Sequence, residues 1–333
     1  MKKKMQLLMK VVLSVAVLFA VFEFQTPAFA EPYLIKFPDS QPETSSVGQH
    51  IKLFGDLLME RTNGRLGVQI FGSAMMGPAP TVIQQVQMGA LDMYRCDASV
   101  LYDFGVQSMK VLSLPYLFDS KEKAQEVLYG EVGDRFLKDV DDSDLQLKAV
   151  GWLIEPSRNL FLRNKRVTQL SDMKGLKIRV PESEIFLATM EAFGAAATPI
   201  PMGEVYTSLQ TGVVDGAENT VDTFNVNRFD EVCKYITLDQ HNFNICPIVI
   251  SKIQWGKLSA DDQKILLECW AEAIRAFDDF AIKNDLDAQK VAQEHGVEIL
   301  QLTDKQAWLD AVKPLYDKFG EGYEDIIARI QGK

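Results

Sequence analysis

Arg179 is the residue whose type and position point most directly to chemistry. The segment Asp172-Met-Lys-Gly-Leu-Lys-Ile-Arg-Val-Pro181 reads as a turn feeding a short strand, in which Leu176, Ile178 and Val180 alternate with Lys177 and Arg179. The apolar residues face one side and Arg179 the other, just before Pro181 ends the strand. A guanidinium at the carboxyl end of a strand is placed to fork two parallel N–H bonds onto an anion. Glu204–Asn219 has a related layout: a helix ends at Gly212, a short apolar strand follows, and Asp215-Gly216 turns into Ala217-Glu218-Asn219. Gly89–Asp97 is a third helix-turn-strand. Its alternation sends Arg95 and Asp97 to one face, where they could pair with each other.

Catalytic signatures are missing. The three His (His50, His241, His295) do not form HExxH, and there is no GxSxG, Walker loop or GxGxxG. No catalytic residue, metal ligand or cofactor is therefore assigned, and binding is favoured over turnover. With 35 basic and 46 acidic residues the net charge is −11, which argues against a nucleic-acid partner. Cys96, Cys233, Cys246 and Cys269 are scattered, without CxxC or zinc spacing. They read as buried thiols, with one disulfide among the last three left open.

The N-terminus reads as an address. Lys2, Lys3, Lys4 and Lys10 precede an apolar run at 11–22, and Ala28-Phe29-Ala30 supplies small residues for a signal peptidase. Residues 1–30 are predicted to be a signal peptide cleaved after Ala30, since the run is short for a span of about 20 residues. Glu31 stands where a lipoprotein would have Cys. The mature chain would carry 31 basic and 45 acidic residues and reside in the periplasm.

The elements that must position these residues alternate short strands with amphipathic helices. Strands are predicted at Tyr33–Phe37, Arg65–Phe71 and Leu91–Cys96, with helices at Gly48–Thr62 and Pro80–Met88 between them, a β-α-β-α-β pattern typical of a parallel sheet. One helix is expected over Lys121–Leu137, with an acidic turn at Asp139–Asp144. A strand is expected over Leu145–Ile154, with a turn at Leu160–Arg163. The α/β pattern then repeats through Glu218, and Ile245–Ser251 is a further strand. Ser259–His295 reads as one long helix opened by a Ser cap and first-turn acids, long enough to brace more than one lobe. Val297–Gln301 and Asp304–Phe319 follow as strand and helix. Without a floppy linker, two α/β lobes whose strands cross between them are expected, with a ligand cleft at the strand ends.

The motifs KGLKIRVP (174–181) and EVYTSLQTGVVDGAEN (204–219), with GALDM (89–93), LPYLFDS (114–120) and EVCKYITLDQH (231–241) in order, resemble the solute-binding proteins of tripartite ATP-independent periplasmic (TRAP) transporters. The resemblance runs from about Tyr33 to the C-terminus. It implies an α/β, two-lobe, periplasmic-binding-protein-like fold with crossing strands and a bracing helix at about 259–295. Lobe 1 would cover about 31–150 plus part of the C-terminal region, and lobe 2 about 155–245.

The same resemblance implies a receptor that closes by a hinge over a small organic anion and delivers it to TRAP membrane permease subunits. It gives Arg179 the bidentate bond to the ligand carboxylate and Asn219 a supporting bond. Arg158, in Pro156-Ser-Arg-Asn-Leu160, matches a second arginine. Asp97 falls at the specificity position, flanked by Arg95, while Tyr206, Met202 and Ser40 count to the cleft. Arg95 and Met202 depart from the usual pattern where the ligand's tail is read. An organosulfonate such as taurine or isethionate is the alternative ligand. An exported enzyme on the same fold and a ligand-presenting sensor partner are the rival roles.

Overall fold

The computed structural model describes residues 31–332. The signal-peptide expectation for 1–30 and its cleavage site lie outside the described residues. The unit beginning at Tyr33 holds all the elements that follow. In chain order the strands are β1 (Tyr33–Pro38), β2 (Leu66–Phe71), β3 (Met93–Arg95), β4 (Leu147–Leu162), β5 (Lys177–Val180), β6 (Ala196–Pro199), β7 (Gly216–Asn219), β8 (Tyr235–Ser251) and β9 (Glu298–Gln301). Five helices matter most for the site: α1 (Ser46–Arg61), α2 (Ala79–Gln87), α3 (Ala98–Asp103), α4 (Val221–Val226) and α5 (Ala260–Glu294).

Two long strands organise the molecule. β4 and β8 run antiparallel from Leu147↔Ser251 to Leu162↔Tyr235, with register shifts between Ala149/Gly151, Ile154/Ser157 and Arg158/Leu160. Such bulges bend a strand and re-aim its side chains. At one end β8 pairs with β3; at the other β4 continues through β7 and β5 to β6, while β9 adds to β8. β5 is parallel to β6 and β7, which places the carboxyl ends of β5 and β7 together.

β1 and β2 pair in parallel as expected. β3, however, makes its ladder antiparallel to β8 and is not a third parallel strand of that ladder. Its link to β1 is made through Asp92, whose amide donates to the Lys36 carbonyl at 3.2 Å and whose carboxylate accepts from the Lys36 amide at 2.7 Å.

The buried side chains gather on both sides of this frame. One core joins Ile35, Phe37, Ile51 and Phe54 to Leu266, Trp270 and Phe277 of α5. Another joins Phe161, Val205, Phe224 and Ile236 to Ala288 and Ala292, farther along the same helix. A third and larger core fills the space among Leu101, Trp152, Ile178, Phe193 and Trp308. Helix α5 therefore braces two cores over a length of about 50 Å. Its start is set by Ser259, which accepts from the Asp262 amide, with Asp261 and Asp262 facing the positive helix end. It docks on β4 where Gly151 leaves room: a Cβ there would stand 2.8 Å from the Trp270 ring. The indole N–H of Trp270 donates to the Trp152 carbonyl at 3.2 Å.

Several boundaries differ from the sequence reading. The helix expected over Lys121–Leu137 is two, Lys121–Leu128 and Glu131–Asp142, broken at Tyr129-Gly130. Gly133 presses against the Leu128 carbonyl, so the second helix packs directly back on the first. Asp139–Asp142 belong to that second helix and not to a turn. The expected turn at Leu160–Arg163 is largely strand, because β4 continues to Leu162 opposite both β7 and β8. β8 starts ten residues before the expected strand, at Tyr235. Asp304–Phe319 splits into Lys305–Ala311 and Lys313–Gly320 at Val312-Lys313-Pro314. The four Cys are free thiols, all buried, so no disulfide joins any of them.

Candidate ligand-binding site

The strand ends carry the site. β5 brings Arg179 opposite Ala217 of β7, and β7 ends at Asn219 opposite Asn159 of β4. The close approach depends on Gly216, where a Cβ would lie 2.4 Å from the Phe161 carbonyl oxygen. A cavity of about 240 Å3 opens at this point. Arg179, Asn219 and Arg158 line it from the β4–β7–β5 side, and Arg95, Asp97 and Ser40 line it from the β1–β3 side. Met202 closes it from a single 3₁₀ turn, Met202–Glu204.

Tyr206 is the exception among the expected residues. Val205 and Leu209 are fully buried in helix Val205–Thr211, and Tyr206 lies half-buried against the same core. Its hydroxyl donates to Glu231 at 2.6 Å, and it is not among the cavity residues.

Arg95 and Asp97 do not pair: β3 ends at Arg95, and Asp97 lies beyond it at the start of the next helix. Arg95 instead forks onto Asp39, Nε to Oδ2 at 2.7 Å and Nη2 to Oδ1 at 2.9 Å. Its Nη1 reaches Glu155 at 2.7 Å. Asp97 caps α3, accepting from the Ser99 amide at 2.9 Å and hydroxyl at 2.6 Å through one carboxylate oxygen.

Arg158 is likewise taken up by the protein. Its Nε and Nη2 meet the Glu218 carboxylate at 2.5 and 2.8 Å, and Nη1 donates to Asn244 at 3.0 Å. The guanidinium lies 4.8 Å from the Phe186 ring centroid. Asn244 in turn donates to Glu155 at 2.7 Å. His241 bridges Asp239 at 2.8 Å and Glu218 at 3.2 Å. A continuous polar chain thus runs beneath the cavity: Asp39, Arg95, Glu155, Asn244, Arg158, Glu218, His241, Asp239.

The chain sets the charges. Burial alone would raise the Glu218 carboxyl, but Arg158 and His241 outweigh it and hold it at about 2. Burial alone would lower His241, but Asp239 and Glu218 lift it to about 9. Glu155 is pushed up by burial, with Arg95 opposing.

Arg179 has a different environment. It is 4% exposed, and its Nε donates to the Ile200 carbonyl at 2.7 Å. No carboxylate lies within ion-pair distance of it among the described residues. Burial, aided by the like charge of Arg158 and opposed by Glu218, lowers its pKa to about 10, still charged at neutral pH. The neighbouring Asn219 uses its oxygen on the Thr220 amide at 2.8 Å, which directs its amide nitrogen as the remaining donor. The pair presents N–H donors and one positive charge to the cavity, the complement of a carboxylate.

Sequence reasoning did not select Asp39, Glu155, Glu218, His241 or Asn244 as site residues. A signal was present in β8, where Asp239, His241 and Asn244 interrupt a run otherwise rich in apolar residues. Buried polar groups of this kind require partners.

The comparisons with known proteins agree with this architecture. Residues 37–322 match the family described as bacterial extracellular solute-binding protein, family 7 (DctP). The 2,3-diketo-L-gulonate-binding periplasmic protein YiaO of Escherichia coli K12 is 32% identical over 311 residues, covering 89% of this chain and 91% of its own. A TRAP periplasmic solute-binding protein from Pseudomonas putida F1, solved with bound D-glucuronate, superposes with a TM-score of 0.86 at 29% identity. That match covers 90% of this chain and 97% of the other. A TRAP protein from Shewanella oneidensis, solved with bound succinate, gives a TM-score of 0.85 at 26% identity, covering 90% and 98%. With the family pattern spanning nearly all of the described chain and the two-lobe architecture in place, this chain belongs to the DctP family of extracellular solute-binding proteins.

Proposed function

We propose that the chain is the extracytoplasmic receptor of a TRAP transporter, holding a small organic anion by its carboxylate and delivering it to membrane permease subunits. The observation that carries this reading is Arg179: buried, charged and without a carboxylate partner, beside the donor of Asn219, at a cavity whose other two arginines are already matched. A buried cation of this kind is stabilised by an anion that enters with it. The relatives' ligands support the same class, since the solved neighbours hold carboxylates. The cavity is smaller than the roughly 300–1,000 Å3 of drug-sized sites, which suits a metabolite-sized acid.

In this reading residues 1–30 are the export signal, cut after Ala30, and the mature protein works in the periplasm. No described helix is long and apolar enough to cross a membrane. The lobes divide where β4 and β8 pass the cavity, near 150–155, and approach each other around the ligand. The role is capture and release, not turnover. Thermal-shift screening of the mature protein against sugar acids, hydroxy acids, dicarboxylates, amino acids and sulfonates tests the reading. A carboxylate at 100 times its Kd should stabilise by about 2.7 kcal/mol. Stabilisation by no carboxylate in the panel would overturn it.

A further inference from the structure

We infer that the ligand is an acid with a single carboxylate whose tail offers hydrogen-bond donors, and that the site rejects a second acid group. This rests on the carboxylate-receptor reading and narrows its substrate class.

The inference comes from which charges at the cavity are already matched. Three arginines line it. Arg95 is held in a two-point fork by Asp39 and again by Glu155. Were Glu155 protonated in its buried setting, the Asp39 fork would still match Arg95. Arg158 is held by Glu218 in the same two-point manner, and its third nitrogen is used by Asn244. His241, lifted toward the charged form, faces Asp239 and Glu218 and is matched by them. Among the described residues at the cavity one cation, Arg179, remains for a ligand, and its two outer nitrogens fit one carboxylate.

The remaining ionisable groups on the wall are acids. Asp97 uses one oxygen for its helix cap, and its second oxygen is the acceptor it can offer to the cavity. Glu182 and Glu204 line the cavity as exposed residues at its edge. The rest of the lining carries no cation: it is apolar at Met76, Pro78, Val82 and Val100 and neutral polar at Ser40, Gln41, Tyr94 and Asn244. A tail carboxylate would therefore meet like charge, neutral polar groups or hydrocarbon, without a cation to offset its desolvation. A hydroxyl or ammonium group would instead donate to Asp97. Like charges brought together at a binding site cost enough to weaken binding by about 100-fold.

Calorimetry on the full mature protein tests this with matched acids. D-glucuronate is compared with D-glucarate, and 4-hydroxybutanoate and 4-aminobutanoate with succinate. The expected result is that at least one acid with a single carboxylate binds and its two-carboxylate match binds about 100-fold more weakly or not at all. The hydroxy and amino acids separate the two kinds of donor tail. Equal or tighter binding of D-glucarate or succinate overturns the inference and leaves the receptor reading standing. Failure of all five acids, together with a failed carboxylate screen, overturns both. Asp97→Asn keeps the capping oxygen and removes the charge, so the preference for the acid with a single carboxylate should shrink by about tenfold. An unchanged preference in that variant overturns the assignment of Asp97 as the repelling group.

Discussion

Glu218 Oε2 accepts from Arg158 Nε at 2.5 Å and from His241 Nε2 at 3.2 Å, so one buried oxygen ties β4, β7 and β8 together. This makes Arg158 a structural cation first, although it lines the cavity. Arg158→Ala should leave Glu218 buried without its main partner and cost about 3–5 kcal/mol in chemical denaturation. Replacing both partners, with Arg158→Met and Glu218→Leu, should recover a large part of that loss. A stability of Arg158→Ala equal to wild type would count against this assignment.

Arg179 should behave in the opposite way. Its removal breaks no ion pair within the protein, so the melting temperature without ligand should barely change. Arg179→Lys keeps a charge but loses the planar fork and should bind more weakly. Arg179→Ala should lose about 3–5 kcal/mol of binding, a hundredfold to several thousandfold. Calorimetry on the three proteins with one identified acid reads the series directly. Binding by Arg179→Ala within a few-fold of wild type would exclude it as the anchor.

The polar chain beneath the cavity predicts a stability profile. His241 is raised from 6.5 to about 9, so its contribution is complete below pH 6.5 and is lost as pH climbs through 9. Glu218 is lowered from 4.5 to about 2, so its contribution is complete above pH 4.5 and is lost as pH falls toward 2. Glu155, raised by burial, works against the acid-side loss. The melting temperature measured from pH 3 to 10 should therefore be highest near pH 4.5–6.5. In His241→Gln the decline between pH 6.5 and 9 should flatten; an identical alkaline limb would refute the role given to His241.

A contact between the two braced cores gives the proposed closure over ligand a testable link. Ser46, at the start of α1, donates through its hydroxyl to Asp222 of α4 at 2.6 Å, and Asn284 of α5 donates to the other Asp222 oxygen at 3.0 Å. Asn227 donates to Gln41 at 3.0 Å nearby. Asp222→Ala removes bonds to a charged group worth about 1.5 kcal/mol, so ligand affinity should fall about tenfold. By small-angle scattering the wild type should become more compact on saturation. The variant should need more ligand to reach the same profile. Indistinguishable titrations would show that this contact does not hold the closed form.

Legibility from sequence followed the range over which the signal acts. Arg179 could be placed because apolar alternation and Pro181 define its strand locally. Helix α5 was legible for the same reason: its cap, first-turn acids and periodicity lie within one segment. The partners of Arg95 and Arg158 were not legible, because Asp39 and Glu155 lie 56 and 60 residues from Arg95 and Glu218 lies 60 from Arg158. Strand alternation was expected to put Arg95 and Asp97 on one face, but the strand stops at Arg95, and the partner of that arginine, Asp39, comes from the loop just after β1. Tyr206 does not line the cavity, because Val205 and Leu209 are the buried residues of its helix and its hydroxyl is bonded to Glu231, neither of which local pattern could foretell.

The three elements that pass between the cores, β4, β8 and α5, bear on how such a protein can be recombined. Helix α5 runs from the core around Trp270 to the core around Ala288 and Ala292, and β4 and β8 keep one face on the largest core while their other face passes between the same two cores. Neither of those two cores is drawn from one uninterrupted stretch of sequence. A chimera that exchanges one lobe with a relative needs junctions inside all three elements, and a single-junction fusion would join half-strands that never evolved in register. New ligand preferences in this scaffold are therefore more accessible through point changes at the cavity wall, at Asp97 or Met202, than through exchange of whole lobes.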